Sequence, residues 1–266
     1  MDGPSWAPDM HSTMKAESMS RLPQPLSMPA LWGLILGLAA VATIVASDIG
    51  YRLGWWHFTR GLQVSEWATY GAAIALVLSG FGLIQTRPRA GRRGLAVAVL
   101  GLLVALFPLG MALQWEVASR TTPPINDIST DTADAPVFWD MPNPTDYPGA
   151  KTAALQHAAY PDLAPLKLGL KPEDAFAQAL SVAQAKGWTI VASVPAEGRI
   201  VATTSSLLYG FTDEVIVRVK AAEGGALVDM RSRSRLGRVD RGVNAKRIRA
   251  YRAALQERAT ANKPQP

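Results

Sequence analysis

The chain has no cysteine and only three histidines among its 266 residues. A disulfide framework and thiolate chemistry are thereby excluded, whatever the redox state of the compartment. Histidine is the commonest general base and a frequent metal ligand. Here it occurs as His11, His57 and His157, of which the first two fall outside the part that reads as a soluble domain. Also missing are an HExxH zinc motif, a phosphate-cradling P-loop and a dinucleotide fingerprint. Ser205 and Ser206 precede an aromatic segment, Leu207–Phe211, but lack the glycines of a nucleophile elbow. Charge is scarce as well, at 18% of residues, and three long stretches contain none.

Those stretches are Leu26–Ser47, Trp67–Thr86 and Gly94–Trp115, of 22, 20 and 22 residues. About 20 residues of helix cross the hydrocarbon core of a bilayer, so three transmembrane helices are predicted. A cleaved signal peptide does not suit the first run, which follows a polar tail and is not followed by a small-residue cleavage site. Trp32, Trp55, Trp56, Trp67 and Trp115 stand near segment ends, where indoles favour the membrane–water interface. Gly33 and Gly37 have the GxxxG spacing of close helix contacts. Arg87, Arg89, Arg92 and Arg93 crowd the second loop, and basic loops stay cytoplasmic. The N-terminus is then inside, and everything after Trp115 lies on the outer side of a bacterial inner membrane, in the periplasm.

Residues 1–25 are Pro- and Ser-rich without apolar period and read as a disordered cytoplasmic tail. Residues 26–115 form the transmembrane region. Residues 116–165 hold eight of the 19 prolines and read as an extended segment or stiff linker. Within it, Asp127, Thr130 and Asp131 suit side-chain caps of turns; calcium is not favoured, because no glycine-punctuated loop with a closing Glu follows. Regular signals begin near Lys167. Pro172, Glu173 and Asp174 open a helix that Gly187 stops. Four alternating segments follow: Trp188–Val194, Arg199–Thr204, Val215–Lys220 and Ala226–Arg235. A last helix shows Ile248, Tyr251 and Leu255 on one face. Residues 166–266 are thus expected to form an α+β domain, with an antiparallel four-stranded sheet and two helices on one face.

Ten basic residues against two acidic ones, Asp240 and Glu257, lie between Arg231 and Arg258; the rest of the chain is slightly acidic. Period-two alternation opposes Val215, Val217 and Val219 to Arg218 and Lys220, and Val228 and Met230 to Arg231 and Arg233. If the valine face meets the helices, the other face presents Arg218, Lys220, Arg231 and Arg233. Two readings stand: a solvated face kept soluble by charge, or an anion-binding surface for phosphate or carboxylate groups. Nucleic acid is not an expected partner, since the inferred compartment lacks it and no aromatic-interleaved motif of a known reader occurs. Arg235, Asp240, Asn244 and Arg247 form a second constellation around Gly237 and Gly242. There Asp240 is expected to accept from Arg235 or Arg247 while capping the last helix.

The segments PPINDISTD from Pro123, AYPD from Ala159, GWTIVA from Gly187, YGFTDEVIVRV from Tyr209 and VDMRSRSRLGRVDRGVNAKRIRAY from Val228 resemble the bacterial domain of unknown function 1499 family. The resemblance covers about 122–255, and the three-helix N-terminal part is similar to that of membrane-attached members. It implies no activity, cofactor or catalytic residue. Its motif positions fall on Asp127, Phe211, Asp213, Arg231, Ser232, Ser234, Arg235, Gly237, Asp240, Gly242, Asn244 and Arg247.

The sequence therefore predicts an integral membrane protein with a basic periplasmic domain, without metal or cofactor. Its expected partner is an anionic lipid, an envelope polymer or an acidic protein. The alternative is an envelope hydrolase or transferase with a site near Asp213, Arg231, Arg235 and Asp240.

Overall fold

The computed structural model describes residues 24–143 and 145–261. All but the last two residues of the predicted tail, 1–23, lie outside the described residues. The chain divides into two compact units, 1–112 and 113–266.

The first unit holds α1 (Met28–Arg52), α2 (Phe58–Gln85) and most of α3 (Leu95–Thr121), each long and apolar enough to cross a membrane. Ser27 starts α1 by accepting the backbone N–H of Ala30 on its hydroxyl. The buried positions of α1 include Ala30, Gly33, Gly37 and Ala40, while Trp32, Ile35, Leu38 and Val45 face outward. Small residues inside and large apolar ones outside is the reverse of a water-soluble helix, and it lets helix backbones approach in lipid. The GxxxG pair does this twice: Gly33 sits against Ser79 of α2, and Gly37 against Val104 and Ala105 of α3. Pro108 is buried inside α3, which continues through it.

The second unit is built on a six-stranded antiparallel sheet, not the four strands predicted. The strands are β1 (Asp127–Ser129), β2 (Leu166–Leu168), β3 (Thr189–Val194), β4 (Arg199–Ser205), β5 (Thr212–Ala222) and β6 (Gly225–Ser234). They are ordered β1–β6–β5–β4–β3, with β2 beside β1 on the free edge of β6. The extra strands are three residues each, too short to show alternation. They exist because β6 has ten residues and offers an edge to both. The proline-rich stretch also contains a helix, α4 (Ala150–Ala159), in addition to the expected α5 (Pro172–Ala185) and α6 (Val243–Ala261).

Val215, Val217, Val228 and Met230 pack against α5 and α6, as the alternation predicted. Tyr251 of α6 stacks on Trp188 at 5.0 Å and donates its hydroxyl to the Ala179 carbonyl at 2.8 Å. The opposite sheet face is not open. Phe138 and Met141 lie buried on Ile216 and Val201, so residues 130–143 and 145–148 form a strap across the face that carries the arginines.

Candidate functional site

Arg231 is fully buried and donates five hydrogen bonds. Nε and Nη2 pair with the two carboxylate oxygens of Asp127 at 2.9 and 2.7 Å. Nη1 reaches the carbonyls of Pro136 and Thr145 at 2.9 and 3.1 Å, and Nη2 also that of Asp146 at 3.1 Å. A guanidinium has five N–H groups, and each has an acceptor. The group also lies 4.9 Å from the Phe138 ring centroid. Arg231 therefore fastens the strap to the sheet, and no donor remains for a ligand.

Arg233 and Arg235 converge on one carboxylate. Glu214 lies opposite Arg233 in the β5–β6 register. It accepts from Arg233 Nε at 2.7 Å through Oε2 and from Arg235 Nε at 3.0 Å through Oε1. Arg233 is further held by the Asn143 carbonyl at 2.6 Å and the Thr145 hydroxyl, with Phe138 beneath it at 4.3 Å. The Arg235 side chain is 39% exposed against 3% for Glu214. Among the described residues, Nη1 of Arg235 has no partner. These groups line a groove of about 260 Å³ with Asn126, Asp127, Asn143, Thr145, Pro148 and Ser234. Since Arg231 and Asp127 neutralise each other, two cations face one carboxylate and the groove keeps a positive charge.

Arg218 and Lys220 stand farther along the same face, tied to acids. Arg218 donates to buried Asp229 at 2.8 and 3.1 Å and to the Asp134 carbonyl at 2.6 Å; Lys220 reaches the Asp134 carboxylate at 2.6 Å. Lys220 first, then Arg218, holds the Asp134 carboxyl below its ordinary range. Asp131 caps a turn of the strap by accepting the N–H of Ala133 and Asp134.

The second constellation lies on the helix-bearing face. Arg247 pairs with Asp213 and with the side-chain oxygen of Asn244. Asn244, fully buried, accepts from Ser232 at 2.7 Å and donates to Ser234 and to the Asn126 carbonyl at 3.1 and 3.0 Å. It joins α6, β6 and the segment entering β1. Asp240 does cap α6, accepting the N–H of Gly242 and Asn244 at 2.9 and 2.8 Å, and such a cap contributes about 1 kcal/mol. The expected arginine contact is absent: Arg235 and Arg247 are held by Glu214 and Asp213 instead. Burial raises the Asp240 carboxyl above its ordinary value, against the pull of its two backbone donors.

Residues 127–255 match a family model described as a protein of unknown function, DUF1499. The domain carried by these residues belongs to the DUF1499 family. No curated protein matches it. The DUF1499 match begins on Asp127, the carboxylate that holds Arg231, so strap and sheet lie within one matched stretch. Within the DUF1499 domain, the four side chains of the predicted hydrolase site do not meet. Arg231 and Arg235 serve the strap face, whereas Asp213 and Asp240 serve the helix face and the start of α6. A larger hollow of about 430 Å³ lies between the C-terminal ends of α5 and α6; Lys186, Glu257 and Arg258 are its charged lining.

Alternation puts Asp229 on the face of the basic residues, but sequence reasoning missed Glu214 and the pairing of both acids with the arginines. Both have the strand parity of the basic residues, so alternation places them on the same face. Pairing them with particular arginines requires the β5–β6 register.

Proposed function

We propose that this DUF1499 protein is a membrane-anchored binding protein. Its domain stands on the periplasmic side and takes a phosphate or carboxylate group of an envelope component in the groove at Arg235. The observation that carries this reading is the sharing of Glu214 by Arg233 and Arg235, which leaves Nη1 of exposed Arg235 without a partner among the described residues. A guanidinium so placed offers an oxyanion charge-assisted hydrogen bonds, and the amide and hydroxyl side chains around it add neutral donors.

The test is equilibrium binding of inorganic phosphate and of glycerol phosphate to full-length protein in phosphatidylcholine nanodiscs. Charge-assisted bonds contribute about 1.5–3 kcal/mol, so Arg235→Gln is expected to weaken binding about ten- to hundredfold. An unchanged affinity would remove the groove from consideration. Changing Lys220, at the other end of the face, should leave binding unchanged.

The arginines of the α2–α3 loop support the orientation. With no native cysteine, single probes report it cleanly. Thr86 is buried, so Ala90, exposed in the same loop, is the better inner position. An impermeant thiol reagent should label Ser119→Cys and not Ala90→Cys in intact cells. The reverse pattern would put the domain in the cytoplasm.

A further inference from the structure

The loop joining β4 to β5 (206–211) and the loop joining β6 to α6 (235–242) lie at one end of the sheet. Asp213 pairs with Ser234, Ser205 pairs with Thr212, and the Arg235 N–H donates to the Thr212 carbonyl at 3.1 Å. The chain joins the sheet at this same end. Asp127 pairs with Arg233, and the Asp240 N–H donates to the Ile125 carbonyl at 3.1 Å. The end also carries apolar side chains turned outward: Leu207 is 91% exposed and Leu236 is 40% exposed. Arg235 and Arg238 are exposed beside them, while the carboxylate of Asp240 is turned into the cap of α6.

One contact relates this end to α3. The Arg241 guanidinium lies 3.5 Å from the ring centroid of Trp115, and its Nε donates to the Ser119 hydroxyl at 2.7 Å. Trp115 closes the third uncharged run, where an indole marks the boundary between hydrocarbon and headgroups. Six residues lead from Thr121 to Asp127, and at most ~3.5 Å per residue they span roughly 20 Å. The loops are therefore tethered within reach of a lipid surface. They present the combination that such a surface accepts, apolar tips ringed by arginine.

We infer that loops 206–211 and 235–242 are a lipid-contacting surface. In it Leu207 and Leu236 enter the boundary between headgroups and acyl chains, and Arg238 and Arg241 meet lipid phosphates. This surface meets the groove at Arg235 but does not rest on ligand binding there, and it has the bilayer as its occupant. An acidic protein would suit the arginines, but not two exposed leucines on loops of which one reaches an interfacial tryptophan through Arg241.

The absence of cysteine makes the experiment direct. Leu207→Cys, Leu236→Cys and Glu223→Cys are each labelled with an environment-sensitive fluorophore, in full-length protein in nanodiscs of phosphatidylcholine with or without phosphatidylglycerol. Glu223 is exposed in the β5–β6 turn, roughly 35 Å away along an eleven-residue strand. Lipids carrying a nitroxide high on the acyl chain should quench the labels at 207 and 236 several-fold more than the label at 223, and should blue-shift them. Phosphatidylglycerol should deepen that quenching, and Arg238→Gln, alone or with Arg241→Gln, should abolish the increment. If labels at 207 and 236 are blind to the lipid nitroxide and as open to aqueous iodide as that at 223, the inference is overturned. If phosphatidylglycerol makes no difference in the parent protein, the role given to the arginines is overturned.

Discussion

Arg231→Ala is expected to unfold the strap and to cost the domain about 3–5 kcal/mol or more. Removing one partner of a buried ion pair costs that much because the other charge is left buried and uncompensated. Here Asp127 is left in that state, and the carbonyls of Pro136, Thr145 and Asp146 lose a donor together. Domains of this size have about 5–15 kcal/mol to lose, so the variant should sit near its unfolding midpoint under mild conditions. Arg231→Lys should fare little better, since an ammonium has three donors and no fork to match the carboxylate. The control is Arg249→Ala, whose pair with Asp162 is half exposed on both sides; such pairs contribute about 0–1 kcal/mol. Urea unfolding of the three full-length variants, with proteolysis of residues 130–148 as a local readout, decides the matter. An Arg231→Ala midpoint equal to that of Arg249→Ala would mean the strap is held by other contacts.

In the first unit the largest effects are expected at Gly33 and Gly82. A Cβ at Gly82 would stand 2.7 Å from the Cα and 2.8 Å from the N of Ala30; one at Gly33 would stand 2.7 Å from the Ser79 N. Overpacking costs about 1–3 kcal/mol where side chains can move aside. These neighbours are backbone, so a larger side chain must part α1 from α2. Gly33→Leu and Gly82→Leu should each lose most of the folded, detergent-stable protein. Gly80→Leu is the contrast: nothing stands within 4 Å of its added carbon, and leucine improves helix propensity by roughly 0.8 kcal/mol. Monodisperse yield and thermal unfolding in detergent read the difference. Equal loss at Gly80 would show that close approach of α1 and α2 is not what Gly33 and Gly82 secure.

Elements that bury their own stripe or face were legible in the sequence. The three uncharged runs, α5, β3 to β6 and α6 each announce themselves through period or length. β1, β2 and α4 do not, because their order comes from elsewhere. β1 is three residues held by the edge of β6, and α4 is anchored by Gln156, whose amide bonds both the N–H and the carbonyl of Ser129. The arginine face shows the same division. Alternation correctly put Arg218, Lys220, Arg231 and Arg233 on the side away from the valines. It did not show that Phe138, in a proline-rich stretch without period, would cover two of them. Nor did the surplus of charge reveal Glu214 and Asp229, which neutralise by register what composition counts as free.

The span between Asp127 and Arg231 also sets an order of events. The two residues are 104 positions apart, and the other strap carbonyls are 85 to 95 positions from the guanidinium they bind. A ribosome delivers β1 and the strap directly after the third helix, yet their partner strand is the last of the sheet to be made. Until β6 emerges, Asp127 has no counterion and the strap has no guanidinium to hold it, although Val201 and Ile216, which Phe138 covers, are already made. Closing so long a loop is the slow kind of contact in folding. The stretch nearest the membrane is therefore the first of the domain to be synthesised and among the last to find its place.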